Sequence, residues 1–119
     1  MIGVSIVLYK TPKNVIEKTI RSVLNSTCDY SIWIVDNSPT DDLKSLKAID
    51  KRINYVFNPN NPGYGSANNI AIKKAIKSRC DYVLVLNPDV YFKNGMVIRN
   101  QIVLNCFEVN PSWMQTYLL

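Results

Sequence analysis

These 119 residues contain no histidine. Cys28, Cys80 and Cys106 are odd in number and widely separated, so neither a zinc cluster nor a disulfide framework has its ligands. A reducing cytoplasm is the expected compartment. Long apolar runs are also missing. The N-terminal "MIGVSIVLYK" has a short apolar stretch and no basic leader, and nothing approaches the roughly 18 apolar residues of a membrane span. Neither an export signal nor a spanning segment is expected. Glycine is scarce, with four in the chain. Gly63 and Gly65 make only a G-x-G, without the third glycine and not directly after a strand, so the dinucleotide fingerprint fails, and the Walker phosphate loop is absent too. Acidic residues are outnumbered, nine against fourteen Lys and Arg, for a net charge of +5. That excess is scattered over Lys10, Lys13, Lys18, Arg21, Lys44, Lys47, Lys51, Arg52 and beyond, with no dense block. It suits an anionic ligand or an anionic membrane surface, although a scattered excess is most often a solvated face. Nothing in it supports a nucleic-acid partner.

What is present is a globular composition, 47% hydrophobic and 19% charged, in a length suited to one domain of roughly 100 to 150 residues. "GVSIVLY" (Gly3 to Tyr9) reads as a strand. "TPKNVIEKTIRSVLNST" follows with Val15, Ile16, Thr19, Ile20, Val23 and Leu24 at helical spacing. Thr11 is placed to cap that helix, with Pro12 in its first turn, where a missing N–H costs nothing. The pattern repeats: "SIWIV" (Ser31 to Val35) as a strand, "PTDDLKSLKAI" as a short helix, "INYVF" (Ile53 to Phe57) as a strand. A loop, "NPNNPGYG", then leads to a helix, "SANNIAIKKAIK", and a fourth strand, "YVLVL" (Tyr82 to Leu86). The last segment, "NGMVIRNQIVLNCFEV", has Ile98 and Ile102 four apart and Val103 and Phe107 four apart, which predicts a helix. The order βαβαβαβα with short strands apolar on both faces predicts an α/β fold, a Rossmann-like parallel sheet with helices on both faces and right-handed crossovers.

In such open sheets ligands bind outside the carboxyl ends of the strands, near the point where strand order reverses. The residues there are Tyr9, Lys10 and Thr11, then Asp36, Asn37 and Ser38, then Asn58, Pro59 and Asn60, then Asn87, Pro88 and Asp89. Two carboxylates, Asp36 and Asp89, thus share one edge with the "NPGYG" loop. Both sites also suit plain turns and helix caps. Their company favours chemistry: a hard divalent cation takes oxygen ligands from an Asp and an Asn and bridges them to a diphosphate. Asn87 and Asp89, two apart around a proline, are placed to do this with phosphate and water completing the shell.

"VSIVLYKTPKNVIEKTIRSVLNST", "IWIVDNSPTDD", "NPNNPGYGSANNIAI" and "YVLVLNPDV", in this order and spacing, resemble the N-terminal, donor-binding half of a family 2 glycosyltransferase with the GT-A fold. The likeness runs from about Gly3 to Tyr91. The "NPDV" form is similar to the rhamnosyltransferase-like branch that builds bacterial surface polysaccharides. The resemblance implies that Asp36 hydrogen-bonds the pyrimidine of a UDP- or dTDP-sugar donor and that Tyr9 lines the same pocket. It implies that Gly63, Tyr64, Gly65 and Asn68 lie near the ribose and diphosphate, where a helix N-terminus favours an anion. Asn87 and Asp89 match the first and last positions of the D-x-D motif that binds Mg or Mn, with Asn in place of the first Asp. The implied reaction is inverting transfer to a glycan or lipid-linked acceptor, at the cytoplasmic face of the membrane with peripheral association.

In that family the catalytic base and the acceptor half lie far downstream of D-x-D. Only Glu108, in the predicted last helix, and no Asp follows Asp89, so the catalytic residue is unassigned. The ending "NPSWMQTYLL" lacks the strand expected to continue the sheet. The expectation from residues 1–119 is therefore a single truncated GT-A domain, from a truncated or frame-shifted gene. Apolar surface on a half-domain marks an interface, so a homodimer through Trp113, Met114, Tyr117, Leu118 and Leu119 is also expected. The alternatives are a catalytically inactive nucleotide-sugar-binding or interaction module, and an unrelated doubly wound domain such as a response-regulator receiver. The receiver is disfavoured because the acidic pair it needs after the first strand is Tyr9 and Lys10.

Overall fold

The computed structural model describes residues 1–60, 63–93, 97–99, 102–104 and 114–118. Strand β1 (Ile2–Leu8) leads through α1 (Lys13–Leu24) to β2 (Tyr30–Asp36), then through a 3₁₀ turn (Lys44–Ala48) to β3 (Ile53–Phe57). Helix α2 (Tyr64–Lys77) and β4 (Tyr82–Leu86) follow, then β5 (Val97–Arg99), β6 (Ile102–Leu104) and β7 (Met114–Leu118). The main sheet has the order β3-β2-β1-β4-β7. The first four strands are parallel, as the sequence predicts, and β7 runs antiparallel to β4. The chain moves outward from β1 to β3 and then jumps back to place β4 on the other side of β1. The order therefore reverses between β1 and β4.

β1 is buried at all seven positions, and its pleat sorts them. Ile2, Val4, Ile6 and Leu8 join Ile16, Ile20 and Val23 of α1, with Ile32, Ile34, Leu84 and Leu86 from the flanking strands. On the opposite face, Val7, Trp33, Val35, Val83 and Val85 meet Ala67, Ala71 and Ala75 of α2. The alanines recur every four residues, so α2 presents a stripe of methyl groups and its backbone comes close to the sheet. Gly3 completes this fit. A Cβ there would lie 2.8 Å from Ala75 Cβ and 3.1 Å from Trp33 Cζ3.

Five expectations need correction. Residues 97–99 and 102–104 are not helical but form an antiparallel pair, β5 with β6. The apolar side chains there are largely β-branched, Val97, Ile98, Ile102 and Val103, which favours strands, and short apolar runs of this kind carry no decisive period. Phe107 and Glu108 lie outside the described residues. The missing continuation of the sheet is present as β7, which pairs Met114 with Leu86 and Leu118 with Tyr82. Three of the terminal apolar residues, Met114, Tyr117 and Leu118, sit in this strand, while Trp113 and Leu119 lie outside the described residues. Thr11 does not cap α1. Pro12 is the residue before the helix, with no side-chain cap, and its carbonyl accepts from Val15 and Ile16. Finally, the segment after β2 is a short 3₁₀ turn rather than an α-helix, and α2 begins at Tyr64, two residues earlier than the periodicity suggests. No helix among the described residues is long and apolar enough to cross a membrane.

Substituting Gly3 by Ala forces backbone and side-chain shifts where α2 meets β1 and is expected to destabilise the protein by about 1–3 kcal/mol, the usual range for overpacking. Urea unfolding of the two proteins checks this, with an unchanged midpoint as the contrary result.

Candidate functional site

The parallel register aligns the carboxyl ends of the central strands. Leu8 stands opposite Asp36, and Asp36 opposite Phe57. The ladder continues one step past the strands, with Asn37 N–H donating to Leu8 O and Asn58 N–H to Asp36 O, each at 2.8 Å. Two clefts open along this edge. One, of about 440 Å³, is lined by Lys10, Thr11, Asp36, Ser38, Pro39, Thr40, Asp42 and Leu43. The other, of about 390 Å³, is lined by Val7, Tyr9, Thr11, Asn37, Tyr64, Asn87 and Pro88, and sits where the strand order reverses. Thr11 belongs to both.

Asp36 is 1% exposed and its carboxylate is held at both oxygens. Ser38 N–H donates to Oδ1 at 3.0 Å, and the Tyr55 hydroxyl donates to Oδ2 at 2.6 Å. A buried carboxylate requires such donors. Each oxygen keeps a further acceptor site, so the group is fixed in direction and still able to accept. Tyr55 follows from the sheet register: it pairs with Ile34, which shares a face with Asp36. Burial, reinforced by the Asp36 carboxylate, raises the Tyr55 pKa well above the usual phenol range.

Ser38 also accepts from Lys10 N–H at 2.8 Å. Lys10 has φ 50°, the left-handed region that a lysine rarely adopts and that costs about 1 kcal/mol or more. The Ser38 contact holds that strained turn and thereby carries the chain from β1 along the first cleft.

In the second cleft, Tyr9 and Tyr64 stand exposed at 53% and 48%. The Tyr64 hydroxyl donates to Asn87 Oδ1 at 2.9 Å, joining the start of α2 to the end of β4. Asn37 is buried beneath this region. Its Oδ1 accepts from Asn58 at 2.7 Å and its Nδ2 donates to Gly63 O at 3.4 Å. Gly63, at φ 100°, takes a conformation open to glycine and precedes α2 without a side-chain cap. The first N–H groups of α2 carry partial positive charge there. Gly65 lies in the first turn of the helix, and an added Cβ would meet nothing within 4 Å.

Residues 87–90 form a turn closed by Val90 N–H donating to Asn87 O at 3.1 Å, with Val90 and Phe92 buried below it. Asp89 projects from this turn as an exposed side chain and does not line either cleft. Among the described residues no group of three or more acidic, His or Cys side chains is gathered around one point. The oxygen set at the turn, one amide and one carboxylate, fits a hard divalent ion that takes the rest of its shell from phosphate and water. Asn68 is turned away from the clefts. It is 6% exposed, its Oδ1 accepts from Ser5 Oγ at 2.6 Å, and its Nδ2 donates to Tyr64 O.

The structure thus brings Tyr9, Tyr64 and Asn87 together in one cleft and puts Asp36 in its neighbour. It leaves Asp89 exposed on the turn after β4, outside both clefts, and Asn68 on the buried side of α2. Tyr55, Thr40, Asp42 and Leu43 are additions. Of these only Tyr55 had a legible signal, its period-two placement on β3.

Residues 4–102 match the protein-family model Glycosyl transferase family 2. The chain is 38% identical over 103 residues to an uncharacterized glycosyltransferase of Rickettsia conorii, covering 82% of this chain and 16% of that protein. It is 37% identical over 87 residues to one of Rickettsia felis, covering 69% of this chain and 14% of that protein. It therefore spans about one-sixth of the curated relatives it matches. Among solved structures it is similar to S. aureus TarS in complex with UDP-GlcNAc, with a TM-score of 0.66 and 19% identity over 78% of this chain and 28% of the other. The mannosyltransferase PcManGT of Pyrobaculum calidifontis, in complex with GDP-Man and Mn2+, gives a TM-score of 0.66 and 16% identity over 77% and 28%. These two likenesses show a common fold.

The raised Tyr55 pKa has a sign. The hydroxyl ionises later in the folded protein than in the unfolded chain, so its contribution to stability is complete below about pH 10 and is lost as pH rises further. Alkaline unfolding is expected to have a shallower pH dependence in Tyr55→Phe than in the wild type. Denaturant midpoints between pH 8 and 11 measure this, and superimposable slopes would count against it.

Proposed function

The chain belongs to glycosyl transferase family 2, and from that premise we propose that it is the donor-binding part of an inverting transferase that uses a UDP- or dTDP-sugar. The observation that carries this reading is the pair of adjoining clefts at the carboxyl edge of the sheet, sharing Thr11, one lined by the fixed Asp36 carboxylate and the other by Tyr64 and Asn87. A nucleotide laid along the edge puts its base in the first and its diphosphate toward the second, near the start of α2.

An ionised carboxylate only accepts hydrogen bonds. Asp36 thus favours a ring that offers an N–H, as uracil and thymine do, over cytosine, which presents an acceptor at the same position. Tyr9 flanks the donor, while Gly63, Tyr64 and Gly65 bring the backbone and helix N-terminus to the diphosphate. Asn68 supports this segment from below through Tyr64 O. Asn87 and Asp89 would hold Mg or Mn, which supplies positive charge against the departing diphosphate. For Asn87 Oδ1 the Tyr64 hydroxyl is already a partner, so metal binding there shares or displaces that bond. The carboxylate base that deprotonates the acceptor hydroxyl lies outside the described residues in this proposal. The acceptor is a glycan or lipid-linked glycan at the cytoplasmic side of a membrane, in the rhamnosyltransferase-like branch of surface polysaccharide synthesis.

Calorimetric titration of UDP and dTDP, with and without Mn2+, is the direct test. Binding is expected to tighten with Mn2+ and to weaken by about 1–3 kcal/mol in Asp36→Ala, the range for losing a hydrogen bond to a buried charge. CDP is expected to bind on the order of tenfold more weakly than UDP. No binding of either imide nucleotide would refute the donor-site reading. In Asp89→Ala the tightening by Mn2+ should disappear while binding in EDTA persists. An undiminished Mn2+ effect would place the metal elsewhere.

A further inference from the structure

The polar member of the buried stripe of α1 is Thr19, 1% exposed. Its hydroxyl is 2.6 Å from Pro88 O and 3.5 Å from Val15 O of its own helix. A hydroxyl has one proton to donate, and the shorter contact takes it, because 3.5 Å is at the outer limit of a hydrogen bond. A threonine inside a helix commonly bonds back to the carbonyl four residues earlier. Here the hydroxyl instead reaches across to the turn after β4.

Pro88 O lies in the rigid peptide plane that joins Pro88 to Asp89. Holding that oxygen sets the plane, and with it the direction in which the chain carries Asp89 out of the turn. A second tie from the same helix lies alongside: the Lys18 ammonium sits 4.1 Å from the centroid of the Tyr91 ring. Val90 and Phe92 are buried in the same core as Ile16 and Ile20, so the turn is seated on α1 by apolar packing as well. Packing fixes how deep the turn sits. The Val90 N–H to Asn87 O bond closes the turn, and the Thr19 hydrogen bond acts directly on the oxygen of the 88–89 peptide.

We propose that Thr19 is a positioning residue for the metal and diphosphate end of the donor site, acting through Pro88 O on the presentation of Asn87 and Asp89. This rests on the reading of that turn as a donor site. Thr19 itself touches no ligand. Its loss should act on the metal-dependent part of binding and spare the end governed by Asp36, which a general weakening of the fold would not do.

The test is UDP titration of the full chain as wild type, Thr19→Val and Thr19→Ser, each with Mn2+ and with EDTA. Valine keeps the shape and removes the hydroxyl, while serine keeps the hydroxyl. The tightening by Mn2+ is expected to fall about tenfold in Thr19→Val, in the range for groups that orient a metal ligand. It is expected to return to near the wild-type value in Thr19→Ser, with binding in EDTA unchanged throughout. An equal loss in Mn2+ and EDTA, or full Mn2+ tightening in Thr19→Val, overturns the proposal and leaves the donor site standing. If the wild type itself shows no tightening, the donor reading of the turn falls and the proposal falls with it. Should circular dichroism show Thr19→Val unfolded, Thr19→Ala carries the same comparison in its place.

Discussion

β1 is hydrogen-bonded on both edges and buried on both faces, and the rest of the molecule is arranged around that double commitment. Its even-numbered residues go to the α1 face and Gly3, Ser5 and Val7 to the α2 face. A one-residue slip of a strand would exchange the two sets and set isoleucines against the alanine stripe of α2. The register is therefore strongly specified, and the register is what brings Leu8 and Asp36 level and places the turn after β4 beside them. The clefts are a by-product of strands that end together while the connections leave in opposite directions.

The edge so formed is held by amides and hydroxyls more than by charges. Asn37 links the end of β3 to the loop before α2 through Asn58 and Gly63, Ser38 ties the turn after β1 to that after β2, and Tyr64 reaches the end of β4. Each of these contacts joins two separate chain segments. Neutral hydrogen bonds of this kind set direction at little electrostatic cost, and of the carboxylates only Asp36 and Asp42 line the first cleft.

The parallel half of the fold was legible because its signals agree: β-branched runs, helical spacing between them, and polar turns at matching ends. Thr19 and Asn68 show the limit. Each reads as one polar residue on a helical face, and only the packing of α1 against the turn, or of α2 against Ser5, reveals what its side chain holds. Tyr55 was recoverable from strand alternation once Ile34 and Asp36 are placed on one face. The segment after Phe92 is ambiguous in sequence because Ile98 and Ile102, four apart, satisfy a helix and an alternating strand equally, and the choice between them comes from pairing between strands. The antiparallel β7 belongs to the same class, since nothing within "MQTYL" says which strand it will join. Thr11 failed as a cap because it turns back to Tyr9 N–H, at 3.4 Å, before the helix starts.

The two faces of the sheet differ in what they can absorb. On the α1 side the contacts are between long aliphatic side chains, whose rotamers can redistribute volume when one of them changes. On the α2 side Gly3, Ala71 and Ala75 bring the helix backbone close to the sheet beside Trp33 and the valines, and an atom added at Gly3 finds no free space. A volume change in this core is thus absorbed more readily on the aliphatic face, while Gly3 and the alanines act as a spacer whose thickness is set by the backbone.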